Sequence, residues 1–267
     1  MRILFVGDVY GRSGRDALHK HLDDLKSEFS LDVVIVNGEN SANGRGITRK
    51  IADDFYGWGV DCITTGNHIW SQKDIVFSVD QDKKLIRPIN YPKDTPGHGF
   101  YIHTIASGRK ILIANVMGRL FMDALDDPFA AVKELLSQYR LGKNIDAIFI
   151  DFHAEATSEK MAFGHFVDGQ VSAVIGTHTH VPTADTHIMK GGSAYQTDAG
   201  MTGDYDSVVG AKKDVPIARF AKKMSFDRLS PADGEGTFCG VFIETDDKTG
   251  LATTITPIRR GGVLQQA

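Results

Sequence analysis

The chain has little cysteine, no long apolar run and no block of like charges. Only Cys62 and Cys239 are present among 267 residues, both in apolar, strand-like sequence, and we expect buried free thiols rather than a disulfide. The N-terminal apolar run stops at Asp8, too early for the core of a signal peptide. No stretch approaches the roughly 18 apolar residues that a membrane span requires. These absences predict a cytoplasmic protein with no membrane partner.

The charge balance limits the class of partner. Lysine and arginine number 30 against 34 acidic residues, which gives a net charge of −4. This balance argues against a protein built mainly to hold duplex nucleic acid by its phosphates. It is compatible with a small anionic substrate, because a metal site supplies its own local positive charge. No repeat, linker or low-complexity tract divides the chain, so one domain over residues 1–267 is predicted.

The first third of the chain predicts a parallel sheet. Residues 33–36 form an apolar, β-branched run, which is typical of a strand buried on both faces. Strands at 2–7 and 60–65 flank it along the sequence. A turn over 11–14 and a helix over 16–29 precede the central strand, and Thr48 is placed to cap a second helix. This β-α-β-α-β order implies right-handed crossovers between parallel strands.

The later sequence adds strands of a different order. Hairpins are predicted around Gly108 and around Gly191, and a helix begins at Asp127 and Pro128. Further strands are predicted at 145–152, 171–175, 238–245 and 251–258, and helices at about 71–79 and 158–166. A loop rich in glycine and aspartate spans roughly 198–210. The predicted fold class is α/β, with two packed mixed β-sheets flanked by helices in an α/β/β/α sandwich.

Metal-ligand residue types follow several of the predicted strands. Each of them comes just after a short apolar run: Asp8, Glu39, Asn40, Asn67, His153, His178 and His180. Parallel strands deliver their carboxyl ends to one edge of a sheet, where ligands bind in open α/β folds. A dinuclear centre needs a carboxylate that bridges two ions, and Glu39 is the best placed. If the chain is extended at His178 and His180, both rings project to one side and can serve adjacent ions.

The predicted ligand set favours catalysis over a structural role. Two divalent ions would outweigh the negative charges of Asp8 and Glu39, and the asparagine and histidine ligands are neutral. The resulting positive charge suits a phosphate anion and a bound water of low pKa. Structural sites more often saturate their ions with anionic ligands.

These blocks resemble those of the calcineurin-like metallophosphoesterases. Their amino-acid sequences are most similar to the YmdB-like branch, whose members are cyclic-nucleotide phosphodiesterases. The matching blocks run in order along the chain: Asp8, Gly38 to Asn40, Gly66 to His68, His153, Gly176 to His180, and Gln196 to Gly200. The resemblance implies a metallophosphoesterase-like fold in which Glu39 bridges two ions. It assigns one ion to Asp8, Asn40 and His180, and the other to Asn67, His153 and His178. His68 is implied to be unligated and to protonate the leaving group.

Two departures from the wider superfamily affect the choice of metal. Tyr10 stands where Asp-x-His normally supplies a histidine, and Glu39 stands where an aspartate normally bridges. The amide oxygen of Asn40 is a possible replacement for the lost imidazole. Because this ligand is harder than a histidine nitrogen, it favours iron or manganese over zinc, with magnesium a further option.

Simpler interpretations accompany several of these residues. Taken singly, Asp8 fits a helix cap, Asn40 and Asn67 fit turns, and His153 fits a buried core histidine. His68 has the alternative role of hydrogen bonding to a carboxylate, and Asp151 either orients a ligand or simply ends a strand. Arg45 is either a partner for a substrate phosphate or a solvated side chain.

The function predicted from the sequence is that of a dinuclear metal-dependent phosphodiesterase. Attack on phosphorus by a metal-activated hydroxide, with His68 as general acid, is the expected mechanism. The resemblance implies small phosphodiesters, 2′,3′-cyclic or 3′,5′-cyclic nucleotides, as substrates. The alternative is a regulatory protein that binds a nucleotide or a protein partner with little turnover, and the missing histidine supports that alternative. A homo-oligomer is the default expectation for such an enzyme.

Overall fold

Two β-sheets form the centre of the fold in the computed structural model, which describes residues 1–224 and 227–267. The strands are β1 (Arg2–Val6), β2 (Val33–Asn37), β3 (Cys62–Thr64), β4 (Phe100–Thr104), β5 (Lys110–Met117), β6 (Ala147–His153), β7 (Ala173–Thr177), β8 (His187–Ile188), β9 (Ala194–Gln196), β10 (Phe238–Thr245) and β11 (Ala252–Arg260). The first sheet has the strand order β11-β10-β1-β2-β3, and the second has the order β4-β5-β6-β7-β9-β8.

The pairing of the strands largely follows the sequence prediction. Strands β1, β2 and β3 are parallel, and β2 is buried along its whole length. Strand β10 pairs with β1 in antiparallel orientation and continues the sheet to β11. The second sheet also has a parallel centre, β5-β6-β7-β9, with antiparallel strands only at its edges. The hairpins predicted around Gly108 and Gly191 are confirmed as the antiparallel pairs β4-β5 and β8-β9, whereas no orientation was predicted for β6 and β7.

The described residues contain six α-helices, and those that contribute to the core pack on the outer faces of the sheets. The six helices are α1 (Gly11–Phe29), α2 (Arg49–Gly57), α3 (Lys73–Val76), α4 (Pro128–Gln138), α5 (Thr157–Val167) and α6 (Asp214–Lys222), with single 3₁₀ turns at Ile69–Ser71 and Val79–Gln81. The predicted caps are confirmed. Thr48 accepts a hydrogen bond from the backbone N–H of Ile51 at 3.3 Å, and Asp127 caps α4.

Three helix predictions need correction. Helix α1 begins at Gly11, so residues 11–14 are its first turn rather than a separate loop. A Cβ on Gly14 would lie 2.2 Å from the carbonyl oxygen of Thr202, so this glycine permits a close backbone approach. The helix predicted over 71–79 is divided between α3 and the two 3₁₀ turns, and α6 was not predicted.

One of three hydrophobic core clusters among the described residues lies between the two sheets. Apolar residues of β1 and β2 meet those of β5, β6 and β7, and the rings of Phe5 and Phe149 have centroids 4.9 Å apart. Leu18 and Leu22 of α1 pack on the outside of the first sheet, whereas Val132 and Phe163 pack on the second. The predicted α/β/β/α layering is confirmed. Both cysteines are buried free thiols, and within the described ranges no helix has the length and apolar character needed to cross a membrane.

Candidate metal centre

The carboxyl ends of the parallel strands bring the predicted ligands together, as the sequence indicated. Strands β1, β2 and β3 lead to the predicted ligands of the first sheet, and β6 and β7 lead to the three histidines of the second. Asp8, Glu39, Asn40, His153 and His180 are buried, and the remaining two are partly buried. The centre therefore lies where the edges of the two sheets meet.

Three of the predicted ligands converge on a fourth, at Nε2 of His153. This atom lies 2.9 Å from Oε1 of Glu39 and 3.1 Å from both Oδ1 of Asn67 and Nδ1 of His178. All three neighbours are atoms that can ligate a metal. A neutral imidazole has a single N–H, so at most one of the three contacts can be a hydrogen bond donated by this ring. Glu39, His153 and His178 also form the one group of carboxylate and imidazole residues within the described part of the chain whose spacing could hold an ion.

A second group of predicted ligands lies beside the first. Nε2 of His180 is 3.2 Å from Oδ1 of Asn40, whose amide nitrogen donates to the carbonyl of Gly44 at 2.9 Å. That hydrogen bond orients the amide and presents its oxygen to His180. Oδ1 of Asp8 is buried and has no hydrogen-bond partner in the part of the chain that the structure describes. Both groupings agree with the division into two sets that the resemblance implies.

The two histidines of the last block do not converge through an extended strand. Strand β7 ends at Thr177, and His178 and His180 both have left-handed backbone conformations, with φ of 96° and 66°. In this conformation the N–H of His178 donates to Asp8 at 3.2 Å, and the N–H of Thr179 donates to Asp198 at 3.0 Å. The prediction from strand alternation was therefore wrong, because two buried carboxylates fold the backbone into a turn here.

Burial shifts the pKa of these groups in directions that suit a cation. Burial, together with the negative charges of Asp198 and Glu39, raises the pKa of Asp8 well above its usual value. Burial also raises the pKa of Glu39 and lowers those of His153 and His180. Burial and the neighbouring His153 lower the pKa of His178 to about 3. These shifts favour neutral imidazoles, which is the form that binds a metal. The raised pKa values of the carboxylates show that their buried negative charge is not offset by a positive charge, which divalent ions would supply.

Gly66 leaves room between the two sheets. A Cβ at this position would lie 2.4 Å from Oε2 of Glu39 and 2.4 Å from Nε2 of His153. Such distances are well inside van der Waals contact, so only glycine allows these two groups to approach each other here. Oδ1 of Asp8, which is buried and accepts no hydrogen bond from the described residues, fits divalent metal ions together with the neutral imidazoles and this cradle.

Each of the three predicted histidine ligands has a different outer partner. Nδ1 of His153 is 2.8 Å from the hydroxyl of Thr177, Nε2 of His178 is 3.1 Å from Glu155, and Nδ1 of His180 is 2.9 Å from the carbonyl of Val209. In every case the opposite nitrogen faces the centre. The sequence prediction included no role for Thr177, Glu155 or Val209.

A buried ion pair supports the turn that carries His178 and His180. Nζ of Lys160 is 2.8 Å from Oδ2 of Asp198, and the same oxygen accepts from the hydroxyl of Thr179 at 2.7 Å. Asp198 belongs to the block Gln196 to Gly200, so the resemblance contained a signal for it. Lys160, on α5, carried no such signal in the sequence.

His68 lies at the same edge, with its main chain tied to the centre. Its backbone N–H donates to Oε2 of Glu39 at 3.0 Å, and its half-buried ring makes no hydrogen bond within residues 1–224 and 227–267. Burial lowers the pKa of His68, and the positive charge of Arg45 lowers it further.

Tyr10 fills the position of the missing histidine with its ring edge-on to His180, at a centroid distance of 5.5 Å.

Comparison with known proteins identifies the family. The sequence profile described as "YmdB-like protein" matches residues 4–258. The chain belongs to this family. It is 45% identical over 258 residues to the 2′,3′-cyclic-nucleotide 2′-phosphodiesterase of Bacillus subtilis, covering 97% of this chain and 96% of that one. The family and the class of enzyme predicted from the sequence, a phosphodiesterase, agree with this finding.

Solved structures match the fold over nearly the whole chain. A hypothetical protein from Thermus thermophilus superimposes with a TM-score of 0.90 at 40% identity, covering 97% of this chain and 99% of that one. A protein described as a novel phosphatase from Mycoplasma pneumoniae gives a TM-score of 0.91 at 37% identity, with coverages of 97% and 93%. The predicted two-sheet fold is confirmed by these matches.

Proposed function

We propose that this protein is a dinuclear metal-dependent phosphodiesterase that hydrolyses 2′,3′-cyclic nucleotides, with 3′,5′-cyclic nucleotides as the alternative substrate. The observation that carries the proposal is the convergence of Glu39, Asn67 and His178 on Nε2 of His153, at 2.9–3.1 Å. The name of the Bacillus subtilis relative supports the choice of substrate. Because the site draws on both sheets, we also propose that residues 1–267 form one domain.

In this proposal two sets of residues hold two ions and share one carboxylate. Asp8, Asn40 and His180 would hold the first ion, Asn67, His153 and His178 the second, and Glu39 both. The oxygen donors favour Fe²⁺ or Mn²⁺. When bound, such ions would stabilise charge on the phosphoryl oxygens and lower the pKa of an attacking water.

His68 supplies the proton in the proposed reaction. Its backbone is anchored to Glu39, and its ring is free of hydrogen bonds to the other described residues. A ring whose pKa is lowered by burial is a stronger acid when protonated, which suits proton transfer to a departing ribose oxygen. Arg45 is an exposed residue whose charge acts on the His68 ring, and we propose that it contacts the substrate phosphate.

A metal add-back experiment tests the proposal. The full chain is purified free of metal, and hydrolysis of 2′,3′-cyclic, 3′,5′-cyclic and linear phosphodiesters is measured with and without Mn²⁺ or Fe²⁺. We expect hydrolysis of the 2′,3′-cyclic substrates only with metal, and its loss on addition of a chelator. Metal-independent hydrolysis would contradict the proposal.

The rival function is regulatory binding of a nucleotide without turnover. Tyr10, in the place of a histidine, is the observation that favours it. Tight nucleotide binding by the metal-loaded protein, with no hydrolysis of any substrate in the panel, would establish this rival.

A further inference from the structure

A fully buried carboxylate, Asp151, connects the two sheets behind the candidate centre. Its Oδ1 accepts a hydrogen bond from the hydroxyl of Thr177 at 2.6 Å. Its Oδ2 accepts from the hydroxyl of Thr64 at 2.5 Å and from the side-chain amide of Asn37 at 2.9 Å. Asp151 and Thr177 belong to the second sheet, whereas Asn37 and Thr64 belong to the first. Both carboxylate oxygens thus act as acceptors, for groups on three different strands.

The hydroxyl of Thr177 also contacts a predicted metal ligand. Oγ1 of Thr177 lies 2.8 Å from Nδ1 of His153, in addition to its contact with Asp151. A hydroxyl has one proton to donate and otherwise accepts. If Thr177 donates to the carboxylate of Asp151, its contact with His153 is a hydrogen bond only when Nδ1 carries the proton.

We propose that Asp151, acting through the hydroxyl of Thr177, is a positioning residue that keeps the proton of the His153 ring on Nδ1 and leaves the Nε2 lone pair facing the metal centre. The part of this inference that concerns metal binding rests on the proposed function. The position of the ring proton does not, because it can be measured in the metal-free protein.

The competing arrangement places the proton of His153 on Nε2, where Oδ1 of Asn67 or Nδ1 of His178 could accept it at 3.1 Å. With Asp151 ionised, Thr177 would then have two acceptors, Nδ1 of His153 and Oδ1 of Asp151, and one proton for both. One of two buried contacts, at 2.8 or 2.6 Å, would be left without a hydrogen between its atoms. A buried acceptor without a donor is destabilising, and a buried carboxylate most of all. The hydrogen bonds at Nδ1 therefore favour the proton on that nitrogen, and the three atoms that surround Nε2 are left for a cation to satisfy.

The same carboxylate also reaches the predicted bridging residue. The amide nitrogen of Asn37 donates to Asp151. The amide oxygen of Asn37, Oδ1, accepts from the backbone N–H of Glu39 at 3.1 Å. Asp151 is therefore linked by hydrogen bonds to one predicted ligand on each sheet. Outer-shell partners of this kind fix the orientation of metal ligands.

Two threonines provide a matched test. Thr177 and Thr64 are both fully buried, and both hydroxyls donate to Asp151, but of the two only Thr177 contacts His153. Thr177→Val removes the proposed relay, and Thr177→Ser keeps it. Thr64→Val removes a hydrogen bond to the same carboxylate without touching the relay, and so controls for a general loss of packing or stability.

The readout is the position of the ring proton. Full-length protein carrying ¹⁵N-histidine is studied without metal, and two-bond ¹H–¹⁵N correlation spectra identify the protonated nitrogen of His153. We expect Nδ1–H in the unmodified protein and in the Thr177→Ser and Thr64→Val variants, and a shift toward Nε2–H in Thr177→Val. Titration with Mn²⁺ should show about a 10- to 100-fold weaker affinity for Thr177→Val and little change for the other two.

Three results would overturn the inference: Nε2–H in the unmodified protein, an unchanged Nδ1–H in Thr177→Val, or an equal shift in Thr64→Val. If Thr177→Val does not fold, the unmodified protein and Thr177→Ser decide the question, since Nδ1–H in both supports the relay and Nε2–H in either refutes it. If the spectra show the expected ring protonation but the protein binds no Mn²⁺, the relay is supported and the proposed function is contradicted.

Discussion

Oε2 of Glu155 lies 3.1 Å from Nε2 of His178, and Nδ1 of the same ring lies 3.1 Å from Nε2 of His153. The His178 ring is thus held between a carboxylate on its outer side and the candidate centre on its inner side. A carboxylate that accepts the outer ring proton leaves Nδ1 free to bind metal and fixes the orientation of the ring. The Glu155 side chain is 48% exposed, so we expect its contact with His178 to contribute little to the free energy of unfolding.

Removal of this carboxylate should weaken metal binding selectively. For Glu155→Ala we expect about a 10- to 100-fold loss of Mn²⁺ affinity at the ion position that includes His178, with a nearly unchanged melting temperature. Glu28→Ala is the matched control, because Glu28 is 50% exposed and pairs with Arg260 away from the centre. Titration calorimetry and thermal unfolding of both variants check the prediction. Equal Mn²⁺ affinities for the two variants would contradict it.

Replacement of His68 should separate proton transfer from metal binding. His68→Ala should keep its metal content and lose on the order of 10² to 10⁴ in rate on a 2′,3′-cyclic nucleotide, whose ribose oxygen needs a proton as it leaves. An activated aryl phosphodiester, whose leaving oxygen is stable as an anion, should show a much smaller loss. The measurements are kcat on both substrates and elemental analysis of the protein.

A replaced ligand provides the contrast with His68. His153→Ala should fail on both substrates, because the ring at the centre of the ligand cluster is lost. A His68→Ala variant that loses metal, or that slows equally on both leaving groups, would show that His68 is not the acid.

A single methyl group at Gly66 should disrupt the centre. For Gly66→Ala we expect a loss of stability of about 1–3 kcal/mol from overpacking and a loss of Mn²⁺ binding, because the new Cβ would meet both Glu39 and His153. Gly57→Ala is the control, since no heavy atom lies within 4 Å of a Cβ built there. Urea unfolding and Mn²⁺ titration of the two variants provide the comparison. Normal metal binding by Gly66→Ala would show that the cradle is wider than the structure indicates.

Breaking the buried ion pair of Lys160 and Asp198 should be strongly destabilising. Lys160→Met leaves the Asp198 carboxylate buried without its partner and should lower the free energy of unfolding by roughly 3–5 kcal/mol. Lys50→Met removes an exposed pair with Asp54 and should change it by less than about 1 kcal/mol. Chemical denaturation measures both variants. A similar small loss for the two lysines would show that solvent reaches Asp198.

Much of the fold could be predicted from local patterns. The buried run over residues 33–37, the cap at Thr48 and the turn at Gly108 each follow from burial period or backbone chemistry within a few residues. Helix α6 and the early start of α1 could not be predicted in this way. Gly14 looks like a turn residue, yet it lies in a helix, where the absence of a Cβ makes room for the carbonyl of Thr202, far away in sequence.

The sequence by itself determined which residue types end the parallel strands and in what order, and this was sufficient to predict the seven residues of the candidate centre and the family. Side-chain type and strand order are local properties, and the carboxyl ends of parallel strands meet at one edge wherever such a sheet forms. Only the tertiary structure decided the orientation of the histidine rings in the candidate centre. The left-handed turns at His178 and His180 and the contacts of His153 with Thr177 and of His178 with Glu155 depend on buried hydrogen bonds between separate strands and loops. No local period encodes such contacts, because their partners come together only when the two sheets pack.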